Sequence, residues 1–373
     1  MLENAKISRH QFGCLVIYFT IGTTILVIPS GLAFHAKQDA WIAATLGVAI
    51  GLFVVVLYNK LSLRFPHMTF VQMNEKLFGK WLGKGFSVLF LYMSLLYTAM
   101  VLYYAGNFLK TQFYLETPVE ATHIILALVL IMGVRLGLET FSRAAEILFP
   151  GFILLIVILV VFISPQIQIE NIQPIFEVEL KPLSRATLSV VVTSSFNSIV
   201  LLMIFPAFVN QPKGAQKAFF IGSLIGGIVI VVITLLCILV LGAETSARQL
   251  FPSFTLARKI NVWGFIQRIE AIIAMMWFIS MYFKMVLYFY ASCIGIAQVL
   301  NLKDYRPLTF PLGVLIVILS LIIYPNVAYQ QNWDAKISEP FSITVGLFLP
   351  LLMLVVAVVR KRIEQKRMSS NQE

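Results

Sequence analysis

"YFTIGTTILVIPSG", residues 18–31, interrupts the first apolar run of the chain near its middle. Gly22, Thr23 and Thr24 stand where a membrane-spanning helix needs only apolar side chains, and Pro29 follows. A second stretch, "VVTSSFNSIVLLMIFP" (191–206), does the same in the sixth run. There Thr193, Ser194, Ser195, Asn197 and Ser198 crowd the centre before Pro206. Glycine and proline weaken a helix, while Ser, Thr and Asn offer freed backbone groups a local partner. Taken singly, each stretch reads equally well as a kinked helix whose small residues let neighbours pack closely. Their spacing changes the reading. Interruptions in runs one and six of ten imply a five-plus-five repeat, and because five is odd the halves must be inverted. Such a pair points to a binding site at the bilayer midplane, with half-helix N-termini offered to an anion and free carbonyls to a cation. No sequence identity between the halves is visible, so the repeat rests on this positional match.

The rest of the chain supplies the ten runs. Of its 373 residues 59% are hydrophobic and 12% charged, against roughly 25% charged in soluble domains. A core of that composition cannot be covered by its own polar surface, so lipid must be its solvent. Apolar runs fall near 10–34, 40–63, 86–108, 121–138, 145–163, 187–209, 217–241, 271–297, 309–327 and 341–359. None alternates as a barrel strand would. The expectation is an all-α integral membrane protein of ten transmembrane helices with helices 1 and 6 broken. It forms one membrane domain over 1–364, with repeat one at about 10–163 and repeat two at about 187–359; a cytoplasmic tail follows at 365–373.

Charge sets the orientation. With both termini on one side, that side carries 18 Lys and Arg against 9 on the other, with Lys284 left over. The excess places both termini in the cytoplasm. The net charge of +11 is spread over short loops, where it reads as topology signal and lipid-headgroup contact rather than nucleic-acid binding. The inner loop "MTFVQMNEKLFGKWLGKG" (68–85) reads as an interfacial amphipathic helix or as a lead-in to the third run. Cys14, Cys237 and Cys293 lie inside apolar runs without metal-ligand spacing, and the four histidines are scattered. No cofactor or metal is expected, and no nucleophile–base constellation suggests an enzyme.

Lys284 stands out. In "WFISMYFKMVLYFYASC" (277–293) it is the one charged side chain between Glu270 and Lys303. A lysine at mid-depth costs about 2.5–3.5 kcal/mol by insertion scales. With Ser280, Tyr288 and Ser292 it forms a polar stripe at i+4 spacing that should face the protein interior. Glu270 is too far along the helix to attract it. The stripe marks either a functional ammonium or a lysine that only ties unwound carbonyls together. Glu146, three residues after Arg143, reads as a local ion pair at a helix entrance in preference to a proton-relay carboxylate. Arg268 and Glu270 read as interface anchors.

The segment "IPSGLAFHAKQDAWIAATLG" (28–47), with its Gln-Asp-Ala-Trp link, resembles the permease-like B subunit of bacterial spore germinant receptors. So do "RAAEILFPG" (143–151), the 251–272 stretch and the basic tail "VVRKRIEQKR" (358–367). The resemblance covers essentially the whole chain. That family is similar to the amino acid–polyamine–organocation transporters with a LeuT-type inverted repeat. It implies a nutrient sensor in the spore inner membrane, working with a receptor A subunit and a C-subunit lipoprotein on a small amino acid or sugar. By position it points to Gly22, Thr23 and Thr24 in span 1 and Tyr97 in span 3. It points also to Ser195, Phe196, Asn197 and Ser198 in span 6, and to Lys284 in span 8. For Tyr97, one of several tyrosines in its run, a packing or interfacial role stands beside ligand contact. The alternative function is an autonomous secondary transporter, an amino acid permease coupled to a cation or proton.

Overall fold

The computed structural model describes residue 3, residues 5–260 and residues 270–370. Helix α1 (Arg9–Ile21) starts at a capping box, in which Ser8 and Gln11 each satisfy the other's free backbone N–H. It stops at Gly22, whose φ of 26° and ψ of −121° leave the helical region. Only a residue without a Cβ adopts this easily. Helix α2 (Thr24–Ala36) resumes after one further residue, and a 3-10 turn at Lys37–Asp39 leads to α3 (Ala40–Arg64). Next come α4 (Phe70–Gln112), kinked at Gly79, then α5 (Val119–Leu136) and α6 (Leu138–Ile163). The kink makes 70–78 a separate lead-in to the third span, with Trp81 just beyond it fully exposed.

The second half opens with α7 (Leu180–Val190), which runs into a π-helix at Val191–Ser195 and a 3-10 helix at Phe196–Met203. It continues with α8 (Pro212–Leu241) and two short helices, α9 (Ala243–Arg248) and α10 (Pro252–Arg258). Then come α11 (Glu270–Val299) and α12 (Arg306–Ile322). The last helix is α13 (Val327–Trp333), α14 (Glu339–Ile343) and α15 (Leu349–Ser370), joined by π turns at Asp334–Ser338 and Thr344–Phe348. No strand is formed among the described residues. Eight helical runs among them are long and apolar enough to cross a membrane. The first of these, Arg9–Arg64, contains the Lys37–Asp39 turn, and α12 is a shorter apolar helix.

Burial sorts these helices into centre and periphery. In the apolar windows of Leu180–Met203 and Ala274–Val299, 83% of residues are buried, against 22% in Leu138–Gln166. The sixth and eighth runs are therefore wrapped by protein, and α6 offers Ile147, Leu154, Val157 and Val161 to lipid. Helix α11 packs along α4 and α1, while α1 and α3 both pack on α8.

Two polar clamps close the ends. At one end the Asp39 carboxylate accepts the backbone N–H groups of Phe176 (2.9 Å) and Val178 (3.1 Å). Gln38 Nε2 donates to Pro174 O (3.0 Å) and Glu177 Oε2 (2.9 Å). The Gln-Asp pair of the link thus pins the long loop ahead of α7. On the other side the N-terminal arm bridges to the chain after the sixth run, through Ile7 N to Phe208 O (2.9 Å) and Asn210 N to Ile7 O (3.1 Å). The expected Arg143–Glu146 pair does not form. Glu146 instead receives Gln11 Nε2 (2.9 Å) and contacts His10 Nδ1 (2.9 Å), while Arg143 lies 3.8 Å from Glu139. Packing of α1 on α6 brings better partners than the helix's own i,i+3 neighbour. Arg268 lies outside the described residues, and Glu270 opens α11.

Candidate functional site

The break in the first run and the lysine of the eighth meet. Lys284 is 2% exposed. Its Nζ stands 3.5 Å from Thr24 Oγ1, 3.5 Å from the Thr193 carbonyl and 5.1 Å from the centre of the Phe19 ring. One turn earlier on α11, the Ser280 hydroxyl lies 3.5 Å from the Gly22 carbonyl, which the break has released from the helix ladder. Gly22 is needed for space as well as for backbone conformation: a Cβ there would overlap the Lys284 stem at Cδ. The ammonium therefore sits between the interrupted segments of runs one and six.

The sixth run is interrupted differently from the first. No residue in 191–203 leaves the helical region; the backbone widens to π and then tightens to 3-10. Each change of winding frees backbone groups, and the hydroxyls expected to accompany a break take up carbonyls. Thr193 Oγ1 donates to Ser189 O (2.8 Å), Ser194 Oγ to Val190 O (2.7 Å) and Ser198 Oγ to Ser195 O (2.7 Å). A run of such donors inside the segment removes the need for an extended link.

Six of the nine expected site residues fall into two groups, and Ser198 is turned to the Ser195 carbonyl of its own run. Gly22, Thr24 and Lys284 form the first, with Thr23 beside them capping α2 through its carbonyl, which accepts Leu26 N and Val27 N at 3.2 Å. Tyr97 and Asn197 form the second, joined through a residue the sequence did not single out. Ser342 donates to Asn197 Oδ1 (2.9 Å) and accepts a short hydrogen bond from the Tyr97 hydroxyl, whose oxygen also lies 3.1 Å from the Ser338 carbonyl. The buried Tyr288 ring links the groups, 5.1 Å from Phe19 and 5.9 Å from Tyr97. Ser195 and Phe196 turn the other way. A Cβ on Gly51 would overlap Ser195 Oγ, and one on Gly346 would come within 2.6 Å of Phe196 Cβ. The Phe196 carbonyl accepts the Tyr58 hydroxyl at 3.0 Å. Both residues hold the sixth run against α3 and the last helix. Tyr58, Ser338 and Ser342 carry no mark in the sequence beyond being polar groups in apolar runs, and that was the available signal.

The electrostatics of the first group are incomplete. Among the described residues no carboxylate lies within ion-pair distance of Lys284. Its two oxygen contacts are at the far limit of hydrogen-bond range, and a cation–π contact adds about 0.5–2 kcal/mol. Set against an insertion cost of ~2.5–3.5 kcal/mol, these leave the ammonium undercompensated. An anionic group beside it would complete the site.

A helix broken near its middle, a second helix rewound opposite it and a buried lysine between them are the features of a transporter-like, multi-pass membrane protein of the LeuT type. Solved structures agree on the fold. The nucleobase-cation-symport-1 family transporter Mhp1 superposes with a TM-score of 0.71 at 11% identity, over 96% of this chain and 80% of that one. MhsT, solved in complex with L-phenylalanine, gives 0.67 at 13% identity, over 95% and 99%. The chain belongs to the spore germination protein family, whose profile matches residues 6–328. It is 30% identical to spore germination protein KB of Bacillus subtilis (strain 168), over 98% of each chain. It is also 26% identical to spore germination protein YndE of that organism, over 97% of this chain and 99% of the relative.

Proposed function

We propose that this protein is a nutrient-sensing transmembrane subunit of a spore germination receptor. It crosses the spore inner membrane ten times with both termini in the cytoplasm. The Lys37–Asp39 turn separates the first two crossings, and α12 is the ninth. A small amino acid or sugar binds near the midplane between runs 1, 3, 6 and 8, and its state passes to a receptor A subunit and a C-subunit lipoprotein. The observation that carries this reading is the undercompensated Lys284 ammonium between Thr24 and the Thr193 carbonyl. An amino-acid carboxylate would supply the missing counter-charge there.

A second reading, an autonomous amino acid permease coupled to a cation or proton, draws on the transporter fold of Mhp1 and MhsT. One experiment separates the two. Deleting the gene should abolish the response of spores to one nutrient class while uptake of that nutrient stays intact. The purified chain in liposomes should not concentrate it. Gradient-coupled uptake by the chain alone would establish the permease instead.

A further inference from the structure

A second ionisable group held among polar partners, the half-buried Asp334, lies at the outer end of the last helix, away from Lys284. The Asp334 carboxylate accepts the Tyr324 hydroxyl at Oδ1 (3.0 Å) and the Tyr104 hydroxyl at Oδ2 (3.0 Å). Gln330, one turn earlier on the same face, donates Nε2 to the Tyr104 oxygen (3.0 Å). Gln330 is only 4% exposed, and its Oε1 is buried without a hydrogen-bond partner. Among the described residues no Lys, Arg or His lies within ion-pair distance of Asp334. Of the charged neighbours along the helix, Lys336 is exposed and Glu339 half-buried, and Arg185 of α7 acts on Glu339. From α4, Tyr103 joins Tyr104 in facing the cluster, its ring 4.9 Å from that of Tyr324.

We propose that Asp334, Gln330, Tyr104 and Tyr324 form a binding site for one alkali-metal cation, open to the outer side of the membrane. The donor set decides the class. One carboxylate with neutral amide and phenol oxygens balances a single positive charge, whereas divalent ions call for more carboxylates. No group of three acidic, histidine or cysteine side chains stands among the described residues. A proton would neutralise Asp334 but leave the Gln330 oxygen unpartnered. The Tyr104 hydroxyl already donates to Asp334, which fixes the amide with its nitrogen toward the tyrosine. A cation beside the carboxylate supplies the missing charge and a partner for that oxygen together. Asp334 lies just before the apolar run that begins at Lys336. The face continues inward by fours through Ser338 and Ser342 to Tyr97 and Asn197, so occupancy at its outer end bears on the same helix that touches the central site.

The test uses the purified full chain in detergent at pH 8. Melting temperature is measured in lithium, sodium, potassium and choline chlorides at equal ionic strength. A saturable rise of a few degrees with one alkali cation, absent in choline, is expected. Asp334→Asn should abolish the rise and Gln330→Leu should weaken it at least tenfold in half-saturating concentration. Direct binding of radioactive sodium or rubidium to the unmodified protein gives a readout independent of variant folding, and should show one site per chain. Equal shifts in choline, an intact cation-specific shift in Asp334→Asn, or no radioisotope binding would each overturn the proposal. Stabilisation on lowering pH from 8 to 5, lost in Asp334→Asn and independent of the cation, would make the occupant a proton and overturn it equally. None of these readouts depends on the nutrient or on Lys284, so this site and the central one fail separately.

Discussion

Replacing Lys284 with methionine tests the central site most directly. Methionine keeps much of the length of the stem that lies against Gly22, so packing against the break is largely retained. What it removes is a charge held by Thr24 Oγ1 and the Thr193 carbonyl, both at 3.5 Å, and by the Phe19 ring at 5.1 Å. In the folded protein those contacts offset only part of the cost of placing an ammonium at mid-depth, about 2.5–3.5 kcal/mol, so losing the charge and its contacts together costs the fold little. The ligand-free variant should therefore insert normally and melt within a few degrees of the parent. The loss should appear with nutrient. A charge-assisted hydrogen bond to a ligand carboxylate contributes about 1.5–3 kcal/mol. Its removal should raise the nutrient concentration for half-maximal germination about 10- to 150-fold. Spores carrying the variant would be followed by loss of optical density across a nutrient series, with protein level checked by immunoblot. Lys284→Arg should restore only part of the response, because a planar fork does not replace a compact ammonium. A methionine variant that accumulates normally and responds at unchanged nutrient concentrations would refute the assignment. One that melts far lower without nutrient would make Lys284 a structural tie.

Two further outcomes follow from the fold. Single cysteines labelled from outside should react in the 165–184 loop and be protected in 68–85, and the reverse at either segment would overturn the orientation. Gly22→Ala should be strongly destabilising, because the alanine must adopt a φ of 26° and overlap the Lys284 stem. In a Lys284→Ala background the steric part should vanish, so the two changes should be non-additive by about 1 kcal/mol or more in a double-mutant cycle of melting temperatures. Additive costs would mean that the two residues do not share space.

The sequence by itself determined that lipid is the solvent, where the apolar runs lie and which two are interrupted. These follow from composition and from Gly, Pro and hydroxyl residues placed in apolar stretches, properties that do not depend on contacts. It also singled out Lys284, because one charge in a long apolar run is conspicuous wherever the helix ends up. The form of each interruption was decided by tertiary structure. Gly22 opens a true break because Lys284 fills the space a side chain would need. The Ser- and Thr-rich 191–203 segment stays helical, its hydroxyls taking up the carbonyls of Ser189 and Val190 in the preceding turn and of Ser195 within it. Glu146 was misassigned for the same kind of reason: its helix neighbour Arg143 was visible, but Gln11 and His10 reach it only once α1 packs on α6. Asp334 drew no notice in the sequence, since an aspartate near the end of a span looks solvated. Only the approach of Tyr104 from α4, together with Tyr324 ten residues earlier, leaves it half-buried and held by neutral groups. Periodicity reports which face of a helix is apolar, whereas the partner of a buried polar group is set by which helices come together.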